Sequence, residues 1–138
     1  MDDSGAGATS DIVSAINLAA NTAASSGRPS IVSMSIGGAA NQAIDDAVTN
    51  AVNLGIPFVV AAGNSAVDAS TTSPARLGGS NGNGGVITVG ATTITDTFAT
   101  FSNFGANVDV LAPGQDILSC GITSDTAVQN KSGTSMST

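Results

Sequence analysis

Apolar residues near the start of the chain recur at helical spacing. Ile12, Val13, Ile16, Ala19, Ala20 and Ala23 form one stripe, Ser10 stands ahead of them as a candidate N-cap, and Asp11 falls in the first turn. Gly27, followed by Arg28-Pro29, stops that helix. The run Ile31-Val32-Ser33-Met34-Ser35-Ile36 predicts a strand that closes on Gly37-Gly38. A second helical stripe carries Ile44, Ala47, Val48, Ala51 and Val52, with Asp45 and Asp46 near its positive end and Gly55 as its stop. Ile56-Pro57-Phe58-Val59-Val60-Ala61-Ala62 is apolar without alternation, as in a strand covered on both faces, and it breaks at Gly63-Asn64. Ser65 to Gly85 reads as loop, and 78–85 is a glycine- and asparagine-rich surface insertion. Val86 to Ala91 is another strand. Val108 to Ala112 and Ile117 to Cys120 are shorter strands around the turn Pro113-Gly114, and Ser135 opens a helix.

Strands and helices alternate, which predicts right-handed βαβ units and an α/β fold with a mostly parallel sheet flanked by helices. The length of 138 residues fits one domain or part of one, with no repeat and no interdomain linker. The core is built from Ala, Val, Ile and Leu, since the chain has four Phe and no Trp or Tyr. Only 9% of residues are charged, against about 25% in ordinary globular domains. The expected surface is therefore polar but largely uncharged.

Three basic and ten acidic residues give a net charge of −7, and the cations Arg28, Arg76 and Lys131 are scattered. Nucleic-acid binding needs several cations along one face, so it is excluded, as is adsorption to an anionic membrane. No apolar run approaches the roughly 20 residues of a membrane span. Cys120 is alone and reads as a small buried hydrophobe. The acidic start, Met1-Asp2-Asp3, does not resemble a signal peptide. Asp2 and Asp3 suit a strand-end turn rather than an acid–base pair, because neighbours on a strand point to opposite faces.

In parallel α/β sheets, sites form beyond the carboxyl ends of the strands. Ser35-Ile36-Gly37-Gly38 and Ala62-Gly63-Asn64 both fall there. Asn64 reads either as a turn former or as a donor aimed at a developing oxyanion. Ser135, within Gly133-Thr134-Ser135, reads either as a helix-start residue or as a nucleophile. A serine hydroxyl needs a base to take its proton, yet the sequence contains no histidine, and Lys131 is too isolated to substitute.

Several stretches, taken in order, change this picture. They are Asp2-Asp3-Ser4-Gly5-Ala6-Gly7, Ser33-Met34-Ser35-Ile36-Gly37-Gly38, Val60-Ala61-Ala62-Gly63-Asn64 and Ser73-Pro74-Ala75. Val86 to Ala91, Phe101-Ser102-Asn103-Phe104-Gly105, Leu111-Ala112-Pro113-Gly114 and Ser132-Gly133-Thr134-Ser135-Met136 complete the series. In these stretches the chain resembles the subtilisin-like serine proteases (subtilases, peptidase S8), most closely the proteinase K branch. The resemblance spans nearly the whole chain and implies a three-layer subtilisin-like fold, incomplete here, with residues 1–138 forming part of a catalytic domain.

The resemblance implies a serine endopeptidase acting on peptide or protein substrates. It makes Ser135 the nucleophile and Asn64 an oxyanion-hole donor, with the Ser135 N–H as the second donor. Ser35, Ile36 and Gly37 match the segment that pairs with an extended substrate, and Ala61, Ala62 and Gly63 match a wall of the specificity pocket. It further implies a secreted, extracellular enzyme, monomeric at full length, that requires no organic cofactor. In that branch a carboxylate matching Asp109 helps to hold a structural calcium, but the loop that would add carbonyls is longer here and glycine-rich. The triad Asp and His of the family have no counterpart among the residues of this chain. The chain is therefore expected to be inactive alone, the alternative being a non-catalytic remnant or peptide-binding fragment. Ser137 stands where the family has Ala, a change expected to be tolerated. Asn130-Lys131-Ser132 has a glycosylation pattern but is read as unmodified, because a glycan there would crowd the nucleophile.

Overall fold

The computed structural model describes residues 6–80, 82 and 84–138. The turn expected at Asp2-Asp3 lies outside the described residues. Four strands, β1 (Val32–Met34), β3 (Phe58–Ala61), β5 (Val86–Thr92) and β6 (Val110–Pro113), form one all-parallel sheet in the order β1-β3-β5-β6. Val32 sits beside Phe58, Val60 beside Thr88, and Val89 beside Val110. Side chains alternate across the sheet, so Met34, Phe58, Val60 and Val86 share one face. That face is covered by α1 (Thr9–Ser26) and α2 (Gln42–Asn53). Ile16, Ala20, Ile44 and Val48 complete the core there, with Val48, Phe58 and Val60 fully buried. Each such side chain contributes about 1.5–3 kcal/mol through burial. On the other face, Ala91 meets the neighbourhood of the short helix α3 (Thr134–Ser137), while Ile87 stays 44% exposed.

The alternation expected from the sequence is present, with differences in detail. Ser10 is not the cap of α1, because the helix starts at Thr9 after Ala8 and has no side-chain cap bond. Gly27 closes it in the left-handed region (φ 64°), as its position implied. The cap of α2 is Asn41, whose side chain accepts from the N–H groups of Ala43 and Ile44. Asp45 is not a solvated first-turn residue. It is buried and pairs with Arg76, whose guanidinium also reaches Gln42.

Within the stretch expected to be loop, residues 65–77 are more ordered than a plain loop, while Asn81 and Asn83 of the expected insertion lie outside the described residues. The ordered part holds two 3₁₀ turns, Ala69–Thr71 and Ala75–Leu77, and the short strand β4 (Thr72–Ser73), antiparallel to β2 (Gly38–Ala39). β6 joins the main sheet, whereas β7 (Ile117–Cys120) forms a separate antiparallel hairpin with β8 (Val128–Lys131). β8 is exposed along its whole length, so no burial period marked it in the sequence. Cys120 is exposed on β7 rather than buried. No described helix is long and apolar enough to cross a membrane.

Candidate active site

Parallel strands end on a common edge, and there β1 runs into Ser35-Ile36-Gly37 while β3 runs into Ala62-Gly63-Asn64. Ala62 N–H still donates to Val89 C=O at 2.9 Å, and the chain then turns at Gly63 with φ 107°. A Cβ on Gly63 would stand 2.3 Å from Asn103 Nδ2. Both its left-handed backbone and this approach demand glycine.

The orientation of the Asn64 amide follows from its partners. Its Oδ1 accepts the Thr134 N–H at 2.8 Å and the Thr134 hydroxyl at 2.9 Å. Thr134 Oγ1 in turn accepts the Gly63 N–H at 3.0 Å. One buried hydroxyl therefore ties the strand-end turn to the start of α3. With Oδ1 engaged by two donors, the other end of the amide is the N–H₂ donor. A Cβ on Gly133 would lie 3.2 Å from Asn64 Nδ2 and 3.7 Å from Ser135 N. Both donors thus surround the same glycine, whose missing side chain leaves the space between them open.

Ser135 is the second residue of α3 and is partly buried. Ser35 Oγ donates to the Ser135 carbonyl at 2.9 Å, and Ser135 Oγ donates to the Ser35 carbonyl at 3.4 Å. The Gly133 N–H donates to Gly114 C=O at 2.8 Å, which anchors the turn before α3 to the end of β6. A cleft of about 560 Å³ opens at this edge. Ser35, Ile36 and Gly37 line it from one strand end, Ala61, Ala62 and Gly63 from the next, and Asn64 and Ser135 are also among its walls. The structure thus brings together every residue proposed for the nucleophile, the amide donor and the two binding segments.

Asp109 lies elsewhere. Its carboxylate accepts the Gly79 N–H at 3.0 Å and the Thr88 N–H at 2.8 Å. No group of three or more His, Cys, Asp or Glu occurs among the described residues. Calcium needs six to eight oxygens, whereas the Asp109 carboxylate is held by two N–H donors and the nearby loop carbonyls of Arg76 and Gly78 accept from Asn107 Nδ2 at 2.7 and 3.1 Å. Calcium therefore enters no step below.

Two residues important for the site carried no role in the sequence reading. Thr134 is the link just described. Asn103 is fully buried, and its Oδ1 accepts the N–H groups of Ser65 and Val67 at 3.0 and 3.2 Å, while its Nδ2 donates to Ala62 C=O at 2.8 Å. Its own N–H donates to Gly63 C=O. It bolts the loop that carries Asn64 to the end of β3. The only available signal was its place within Phe101-Ser102-Asn103-Phe104-Gly105. The Ser137 hydroxyl is buried with no hydrogen-bond partner among the described residues, a cost of about 1–3 kcal/mol.

Parallel strands ending on one cleft, with a serine hydroxyl and an oriented amide donor in its wall, define a class of α/β protein whose site lies at the strand ends. The family model described as "Subtilase family" matches residues 1–138, and the chain belongs to that family. It is 44% identical over its whole length to the "Extracellular serine proteinase" of Thermus sp. (strain Rt41A), covering 32% of that protein. It is 46% identical over 134 residues to "Alkaline protease 1" of Aspergillus clavatus, covering 96% of this chain and 32% of the relative. The structure described as a cold adapted subtilisin-like serine proteinase superposes with a TM-score of 0.85 at 41% identity, over 99% of this chain and 46% of the other. The chain thus spans about a third of the length of the curated relatives it matches.

Proposed function

We propose that the chain supplies the nucleophile and the oxyanion-binding part of a secreted subtilisin-like serine endopeptidase. Ser135 Oγ attacks the carbonyl carbon of a peptide bond. Asn64 Nδ2 and the Ser135 N–H donate to the oxygen as it becomes negative. The C–N bond then breaks as the amine leaves with the proton taken from Ser135 Oγ by an acceptor outside this sequence. Water later hydrolyses the acyl-enzyme to release the acid and restore the serine. The substrate extends along Ser35-Ile36-Gly37 as an added strand. The small residues Ala61, Ala62 and Gly63 leave room for a large apolar side chain beside the scissile bond. The proton acceptor and its orienting carboxylate come from polypeptide outside this sequence, which has no histidine. No organic cofactor takes part. The extracellular assignment rests on the printed name of the Thermus relative.

The observation that carries this reading is the oriented amide of Asn64, whose donor end shares the space over Gly133 with the Ser135 N–H. The test uses a chromogenic peptide and the chain combined with the portion of the Thermus proteinase outside the matched residues. The chain alone gives no turnover and the combination cleaves. Ser135→Ala abolishes cleavage, and Asn64→Ala lowers kcat by about 10²–10³-fold, the loss known for one such donor in subtilisin. Cleavage that survives Ser135→Ala refutes the proposal. The absence of histidine also favours a second reading, a non-catalytic peptide-binding remnant, which predicts peptide binding without cleavage in every combination.

A further inference from the structure

The ribbon of β7 and β8 stands apart from the main sheet and pairs with no other strand among the described residues. In an antiparallel pair, directly opposite residues share a face, as do alternate residues along each strand. Leu118 stands opposite Asn130, and Cys120 stands opposite Val128. These four side chains therefore lie on one face. Leu118 and Val128 are 67% and 68% exposed, and Ile122, just past β7, is 93% exposed. Cys120 and Asn130 are exposed as well. The face lies in water, yet it is apolar except for Asn130. Contiguous apolar surface of this kind marks a place that something else covers.

Asn130 says what covers it. Asn130-Lys131-Ser132 is the one Asn-X-Ser/Thr sequence in the chain, the acceptor pattern for an N-linked oligosaccharide. The Asn130 side-chain amide bonds to no described residue. Its closeness to Ser135 in sequence implies crowding, but the cleft that holds Ser135 takes none of its walls from β7 or β8. Ser132, the next alternate residue after Asn130, turns its hydroxyl to Asp116. It accepts the Asp116 N–H at 2.9 Å and approaches the Asp116 carboxylate at 3.5 Å. That contact takes up the hydroxyl of the acceptor pattern, so the pattern is read before the ribbon closes.

We infer that Asn130 carries an N-linked glycan whose first sugars cover Leu118, Cys120 and Val128. Such a group is bulky and solubilising and suits an exposed position. The donor is an oligosaccharide carried on a lipid diphosphate. Asn130 Nδ2 bonds to the first carbon of the sugar as the bond from that carbon to the diphosphate oxygen breaks. The lipid diphosphate leaves with the bonding electron pair, and one amide proton passes to solvent. The inference rests on the secreted part of the proposed function and not on its catalytic part.

The test places the full chain behind a secretion leader and translates it with eukaryotic microsomes. The expected product carries one oligosaccharide, which peptide N-glycosidase removes to leave a carboxylate at position 130. Asn130→Gln, Ser132→Ala and Lys131→Pro each abolish the addition, and Ser132→Thr keeps it. Transfer precedes folding, so a variant that folds poorly still reports on the site. Coverage is read at the thiol. Cys120 in the glycosylated chain is expected to react with a bulky maleimide severalfold more slowly than in Asn130→Gln. No addition, or addition that survives Asn130→Gln, overturns the site, and equal Cys120 reactivity overturns the coverage. The leader is supplied, so failure counts against Asn130 and not against the extracellular or catalytic reading.

Discussion

Replacing Asn103 by Leu keeps the approximate shape of the side chain but removes its three side-chain hydrogen bonds to the Ala62–Val67 segment. Ala62 is fully buried, but its carbonyl keeps the Thr72 hydroxyl as a donor at 3.3 Å, so the lost Asn103 bond costs only a net hydrogen bond, about 0.5–1.5 kcal/mol. Ser65 and Val67 are exposed residues, so water recovers part of what their N–H groups lose. Each then contributes only the net value of a hydrogen bond, about 0.5–1.5 kcal/mol. The expected destabilisation is about 1.5–4.5 kcal/mol, a large share of the roughly 5–15 kcal/mol that holds a domain together. The loss is also local. The Ser65 and Val67 amides are expected to exchange faster than the sheet amides, and the Asn64 side chain loses its fixed direction. Asn103→Asp separates the parts, since it keeps the acceptor for Ser65 and Val67 but sets a carboxylate oxygen against the Ala62 carbonyl. Urea unfolding gives the global term and hydrogen exchange the local one. A loss under about 1 kcal/mol with unchanged Ser65 and Val67 protection refutes the assignment of Asn103 as the bolt of this loop.

Arg76→Leu leaves the buried Asp45 carboxylate without its ion partner. The expected cost is about 3–5 kcal/mol in urea unfolding, and a much smaller loss in Arg76→Leu with Asp45→Asn separates the unpaired charge from lost packing. Asp68 is exposed, and the backbone N–H and the hydroxyl of Ser70 hold its carboxyl below the usual carboxylate range. A lowered pKa in the folded state stabilises above the unfolded value and is lost as pH falls through the folded one. Asp68→Asn is thus expected to flatten slightly the decline of thermal stability below about pH 4, and an unchanged acid limb argues against that bond in solution.

The layered fold was legible because its signals are local. Ile44, Ala47, Val48 and Ala51 repeat at helical spacing, and Phe58 to Ala62 is apolar without alternation, so each segment declares its own element and its burial. The contacts that organise the site are not local. Thr134 meets Asn64 across 70 residues, and Asn103 meets Ala62 across 41. The pair Asp45–Arg76 likewise joins a helix to a 3₁₀ turn across 31 residues. No periodicity encodes such pairings. Asn103 sits between polar and aromatic neighbours like many loop asparagines, and Asp45 looks like an ordinary first-turn acid. β8 was missed for a related reason, because a hairpin exposed on both faces has no apolar period.

The same reasoning explains why the site lies at the carboxyl edge. Each strand of the sheet delivers its last residues to one level, and the turn chemistry there is chosen by close approach. Gly63 is crowded by Asn103, and Gly114 is crowded by Ser137, with a Cβ on Gly114 falling 2.1 Å from the Ser137 oxygen. Gly133 keeps open the space between Asn64 Nδ2 and Ser135 N. A side chain at Gly63 or Gly114 would push apart segments whose hydrogen bonds hold Asn64 and α3 in place. A side chain at Gly133 would enter the space proposed for the oxyanion. The first two substitutions therefore act through packing and should reduce stability together with any site function. The third stands on extended backbone at φ 163° and meets Asn64 Nδ2 at 3.2 Å, so it should cost less stability than the other two while removing the proposed function.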